Sequence, residues 1–167
     1  MEARAAIKDE LHQQIETARE NVIHFPMFTT SWLPATADVK FHNLITANVT
    51  VGTGFFSEFS QGFSDFTGAV NVNSGMSHKV NKGEAAARSI LVNKAKLLGA
   101  NCIVSVDIDY GTTANNAATI NMQGTAAFIA NLQDVLSTDA LALAEALDKT
   151  YDRIVQLQHW RRGDISV

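Results

Sequence analysis

A single cysteine, Cys102, stands among 167 residues. It has no partner for an intrachain disulfide, and zinc sites built on four cysteines are excluded. Prolines number two, Pro26 and Pro34, and both fall in one short stretch. The chain beyond Pro34 is free of that breaker of helices and strands. Charge is also scarce: 18 % of the residues are Asp, Glu, Lys or Arg, with a net charge of −4. A basic stripe of the kind nucleic acid needs is missing, and so is a cationic face for an anionic membrane. No apolar run approaches the roughly 20 residues of a membrane span. "MEARAAIKDELHQQ" carries charges throughout and has no apolar core, so a secretory signal is not expected. The expectation is a cytoplasmic protein with a reduced thiol. His12, His24, His42, His78 and His159 are scattered, with no pair at zinc-binding spacing and no obvious base for Cys102. His42 and His78 read as surface residues, at a strand start and in a polar loop.

What is present is apolar: 46 % of the residues are hydrophobic. Low charge leaves more apolar surface to hide, and contact between subunits is one way to hide it. Three parts separate. Residues 1–25 form an N-terminal amphipathic helix, with Ile7, Leu11, Ile15, Ala18 and Val22 at steps of three or four, ended by Pro26. Residues 26–130 form an α+β core. Residues 131–167 form a helical extension, with Ser137, Thr138 and Asp139 as candidate N-caps and a stripe of Ala140, Leu143, Leu147, Tyr151, Ile154 and Leu157. Arg161, Arg162 and Gly163 suit its end.

Within the core, Lys40 to Val51 reads as a strand. Ile45, Ala47, Val49 and Val51 share one face, and Thr46, Asn48 and Thr50 the other. "AVNVNSGMSHKVNKG" reads as a polar loop. Glu84 to Leu98 is the surest helix, with Ala86, Ala87, Ile90, Leu91, Leu97 and Leu98 as its apolar stripe and Gly99 as a left-handed cap. Cys102 to Tyr110 reads as a strand, "GTTANN" as a turn, and Ala117 to Ile129 as the returning strand.

The Cys102–Tyr110 strand carries the first candidate site. Strict alternation places Cys102, Val104, Val106, Ile108 and Tyr110 on one face, and Ile103, Ser105, Asp107 and Asp109 on the other. Asp107 and Asp109 then point the same way, about 6.5–7 Å apart along the strand. They could hold a divalent cation, share a proton, or line the wet face of a sheet. Two carboxylates do not fill the shell of a hard cation, so the wet face is the plainer reading. Ring symmetry would change that, because each acid recurs once per subunit. Cys102 reads as a buried structural thiol.

Phe55, Phe56, Phe59, Phe63 and Phe66 repeat at helical spacing in "GTGFFSEFSQGFSDFTG", with no basic residue among them. Stacking on nucleic-acid bases is therefore disfavoured, and a core or subunit contact is expected. "GTG" at residues 52–54 lacks the third glycine of a dinucleotide-binding turn, since Ser57 stands in its place.

"ITANVTVGTGFFSEFSQGFSDFTG", "EAAARSILVNKAKLLGANCIVSVDIDY" and "MQGTAAFI", opened by "FTTSW", together resemble the YbjQ-like family, named for heavy-metal binding. The resemblance covers about Phe28 to Ile129. Gly99, Ala100, Asn101, Asp107, Asp109, Tyr110, Gly124 and Thr125 match its pattern. "TGAVNVNSG" departs from it, having no arginine where the family has Gly-Gly-Arg-Ser, and Glu58 replaces an aspartate. The resemblance implies a small two-layer α+β subunit, a helix on an antiparallel sheet. It also implies a homo-oligomeric ring, typically a pentamer formed through the sheets. The extra N- and C-terminal helices lie outside it and are expected to serve assembly or a protein partner.

The sequence therefore predicts a non-enzymatic, ring-forming assembly protein. The alternative is a metal-binding protein using Asp107 and Asp109 around the ring axis. No resident cofactor is expected beyond a divalent metal ion on that alternative.

Overall fold

The computed structural model describes residues 2–51, 76–113 and 117–162. The chain divides into two units: residues 27–131, and residues 1–26 together with 132–167. The described core elements are β1 (Val39–Val51), α2 (Met76–Leu97), β2 (Cys102–Thr112) and β3 (Ala118–Ile129). The second unit holds α1 (Glu2–Asn21) and α3 (Thr138–Arg162). The class is α+β, as expected.

Among the described residues the sheet is antiparallel with order β1-β3-β2, with β3 central and β1 and β2 at its edges. One face is dry and lies against α2. Ile45, Ala47, Val49 and Val51 of β1 and Ala118, Ile120, Met122 and Ala126 of β3 are buried there, as are Ala87, Ile90, Leu91, Val92 and Ala95 of α2. Burying one Leu or Ile side chain contributes about 1.5–3 kcal/mol, so this layer dominates the unit's stability.

α2 starts at Met76, inside the stretch that reads as a polar loop, and runs through Gly83. A glycine inside a helix costs about 1 kcal/mol relative to alanine. Here its missing side chain is needed, because a Cβ on Gly83 would collide with Cδ1 of Ile120 and crowd Val51. The helix thus packs tightly on the sheet at a residue that sequence propensity argues against. Its end is as expected. Gly99 has φ +74°, the Gly99 amide donates to the Lys96 carbonyl (3.0 Å), and the Ala100 amide to that of Ala95 (3.0 Å). These two bonds are the Schellman pattern. Leu97 and Leu98 do not continue the buried stripe; Leu97 is 81 % exposed.

β2 does not alternate strictly. Val104 pairs with Thr125 and Asp107 with Gln123, so Ser105 and Val106 together oppose Gly124. Ser105 has φ +54°, rare for a residue with a side chain. This β-bulge reverses the facing of everything before it. Cys102 and Val104 therefore share a face with Asp107 and Asp109, while Ile103 joins Val106, Ile108 and Tyr110 on the α2 side. Gly124 makes the bulge fit: a Cβ there would stand 2.6 Å from Cγ2 of Ile103 and 3.2 Å from Cγ2 of Val106.

Two asparagines fasten the sheet's ends. Asn101 donates from Nδ2 to the Ile129 carbonyl and accepts the Ile129 amide on Oδ1, both at 2.8 Å. Asn131 accepts the Asp38 amide (2.8 Å) and donates to the Thr36 carbonyl (2.9 Å). Met27 bridges Ile103 in parallel, and the Phe28 amide donates to the Ile103 carbonyl (2.8 Å). Part of β2's outer edge is covered in this way.

In the other unit α1 packs on α3. Leu11, Ile15, Ala18 and Val22 are buried, as are Ala144, Leu147, Tyr151, Ile154 and Leu157. Leu143, expected in that stripe, is exposed, and Ala144 takes its place. Ser137 caps α3, its Oγ accepting the Ala140 amide (3.3 Å). Arg153 pairs with Glu10 (2.7 Å) and lies over the Trp160 ring, 4.8 Å from its centroid. That pair is part-exposed and adds little stability.

Candidate functional site

The face of the sheet away from α2 is polar over most of its length. Register makes it a set of rows: Asp107–Gln123–Thr46, then Asp109–Asn121–Asn48, then Gly111–Thr119–Thr50. The side chains in a row stand about 4.5–5.5 Å apart at Cβ. Asp107, Asp109, Asn121, Gln123 and Asn48 are exposed. Gln123 Nε2 donates to Asp107 Oδ2 over 3.4 Å, a long bond on an open surface. Asp107 and Asp109 thus share an exposed face, as strand spacing predicts, because the bulge lies wholly before them.

The chemistry open to this face is that of oxygen donors and amides. Each carboxylate has an amide opposite it, so four oxygen-bearing groups stand in a flat array. A flat array does not wrap a hard cation, which takes six to eight oxygens in the case of calcium. Among the described residues no group of three or more His, Cys, Asp or Glu could hold a metal ion within one chain.

Among the described residues the soft ligands do not converge here either. Cys102 is buried, and its thiol lies 3.4 Å from the Ala127 carbonyl. Burial pushes its pKa up to about 12, so it stays a protonated thiol near neutrality. Neither a nucleophile nor a thiolate ligand is available from it in this state. His12, His42 and His159 are exposed and His24 half-buried. His42 lies in β1, at the bulge between Phe41 and Leu44. His78 belongs to α2 rather than to a loop, and its side chain lies outside the described residues.

Towards the other end the same face turns apolar. Cys102, Val104, Ala127 and Ile129 are buried, while Phe41 and Leu44 on β1 are 63 % and 62 % exposed. The one-residue bulge in β1 sets both onto this face, paired with Ala127 and Thr125. Sequence reading misses Phe41 and Leu44, because a strand period of two cannot register an extra residue. It also misses Asn121 and Gln123 as partners of the acids, because register between strands is not written in either strand alone. Phe55, Phe56, Phe59, Phe63 and Phe66, and the Gly52–Gly54 turn, lie outside the described residues.

Among the described residues no helix is long and apolar enough to cross a membrane. A family model described as "Putative heavy-metal-binding", YbjQ, matches residues 25–130 of this chain, well over half of it.

Proposed function

The chain belongs to the YbjQ family, and on that premise we propose that it is a non-enzymatic, homo-oligomeric assembly protein, pentameric or built on a multiple of five. Its main partner is itself, its terminal helices are available to a protein partner, and it works in the cytoplasm without nucleic acid or membrane. The observation that carries this reading is β1: a strand of thirteen residues, at the edge of the sheet among the described residues, with Phe41 and Leu44 exposed on its bulge. Edge strands are templates for pairing with another chain, and head-to-tail contacts between identical copies close into rings when the rotation allows. Native mass spectrometry tests the reading; a closed oligomer is expected, and a monomer at micromolar concentration would contradict it.

A second reading, metal binding, is favoured by Asp107 and Asp109 on one exposed face opposite Gln123 and Asn121. Around a ring axis the two oxygens-bearing rows would recur in every copy and could complete a divalent shell that one chain leaves open. Elemental analysis of chelator-free protein tests it. Stoichiometric metal that is lost in Asp107→Asn, Asp109→Asn supports the site, and metal content unchanged in that variant removes these residues from it.

A further inference from the structure

We propose that Met27 is a methionine-oxidation site at which Arg88 assists the oxidant and receives the product. Arg88, on α2, is a largely covered cation: its side chain is 21 % exposed. Among the described residues its guanidinium meets one carboxylate, Glu84, at 3.7 Å, and its Nη1 donates to Met27 Sδ at 3.1 Å. The Glu84 carboxylate is shared, since Tyr110 Oη donates to its other oxygen (3.0 Å). A guanidinium carries five N–H donors, and a thioether is among the weakest acceptors a protein offers. A covered cation aimed at so poor an acceptor is better matched to the oxidised form of that sulfur.

The oxidant is a hydroperoxide, with hydrogen peroxide the simplest. A sulfur lone pair attacks one peroxide oxygen; the S–O bond forms as the O–O bond breaks. Sulfur loses two electrons and the peroxide is reduced. The proton of the transferred oxygen passes to the departing hydroxide, which leaves as water. Negative charge develops on the departing oxygen; Nη1 is engaged on the sulfur, so it is the positive charge of the Arg88 guanidinium and its other N–H donors that would stabilise it. The product sulfoxide carries a strong acceptor oxygen, which takes a charge-assisted hydrogen bond from the same guanidinium. Methionine sulfoxide is reversible by reductases, so the site can be reset.

Position gives the modification an effect. Met27 begins the segment that runs along β2's outer edge, where Phe28 donates to the Ile103 carbonyl and the Val106 amide donates to Phe28 (2.9 Å). A sulfoxide bonded to Arg88 fastens that segment to α2. Met27 is half-buried, whereas Met122, 1 % exposed, is an internal control.

The test treats the full chain with hydrogen peroxide and follows oxygen gain at Met27 and Met122 by peptide mass spectrometry. Met27 is expected to oxidise while Met122 stays reduced. In Arg88→Ala the Met27 rate should fall roughly tenfold, the effect in rate of one charge-assisted hydrogen bond. A rate equal to or faster than wild type is the behaviour of a merely exposed thioether and overturns the proposal. Arg88→Gln, neutral but still able to donate, serves if the alanine variant does not fold, with the same direction expected. Oxidation should lower the Tm less in wild type than in Arg88→Gln; an equal loss in both contradicts the product-binding half.

Discussion

The two faces of the three-stranded sheet are made from the same strands and are specified by different forces. The α2 face is closed within one chain along β1 and most of β3: Ile45, Ala47, Val49, Ile120, Met122 and Ala126 are buried against a helix whose Gly83 allows close approach. The opposite face grades from buried Cys102, Val104 and Ala127 to exposed rows of Asp, Asn, Gln and Thr, with Phe41 and Leu44 exposed beside the buried end. Packing dictates the first face almost residue by residue. The second leaves carboxylates, amides and two large apolar side chains that a single chain does not need for folding. Residues a fold can spare are where interaction surfaces reside.

That contrast can be broken by substitution, and the largest effects belong to the closed face. Leu91→Ala, at a fully buried position, should destabilise by about 2–5 kcal/mol in urea unfolding. Gly124→Ala should cost about 1–3 kcal/mol by overpacking, since its new methyl meets Ile103 and Val106. A loss much below 1 kcal/mol would show that the bulge relaxes freely.

Cys102 gives the contrast a pH signature. Its ordinary pKa of 9.0 rises to about 12 in the fold, so above pH 9 the unfolded chain releases a proton that the folded one keeps. The thiol's stabilisation is full below about pH 9 and is lost as pH climbs towards 12. Wild type should therefore lose stability faster than Cys102→Ala across that window, as read by denaturant midpoints. Parallel pH profiles would contradict the burial argument.

The smallest expected effect on folding comes from the polar rows. Asp107→Asn with Asp109→Asn should change stability by no more than about 0.5 kcal/mol, the usual range for exposed substitutions. A loss of several kcal/mol would mean that these carboxylates serve the fold rather than a partner.

Much of the closed face is legible in the sequence. The period of two in Ile45 to Val51 and the stripe through Ala87, Ile90 and Leu91 both report burial on one side, and Gly99 announces its own cap. Local signals fail where a neighbour decides. Gly83 reads as a breaker until Ile120 is seen beneath it. Ser105 sits in a strand whose alternation looks unbroken, yet the bulge at that point moves Cys102 and Val104 to the face of the acids. Asn101 reads only as part of a family signature, and its exchange of two hydrogen bonds with Ile129 depends on a residue 28 positions away. Asp107 and Asp109 are legible as a same-face pair, but their partners Gln123 and Asn121 are matters of register.

The open face, on this account, is completed by further copies of the chain. The most direct test is native mass spectrometry of the full chain beside Phe41→Asp with Leu44→Asp. A closed ring for wild type, shifted to smaller species in the double variant, is the predicted result. A wild-type monomer at micromolar concentration would contradict the account.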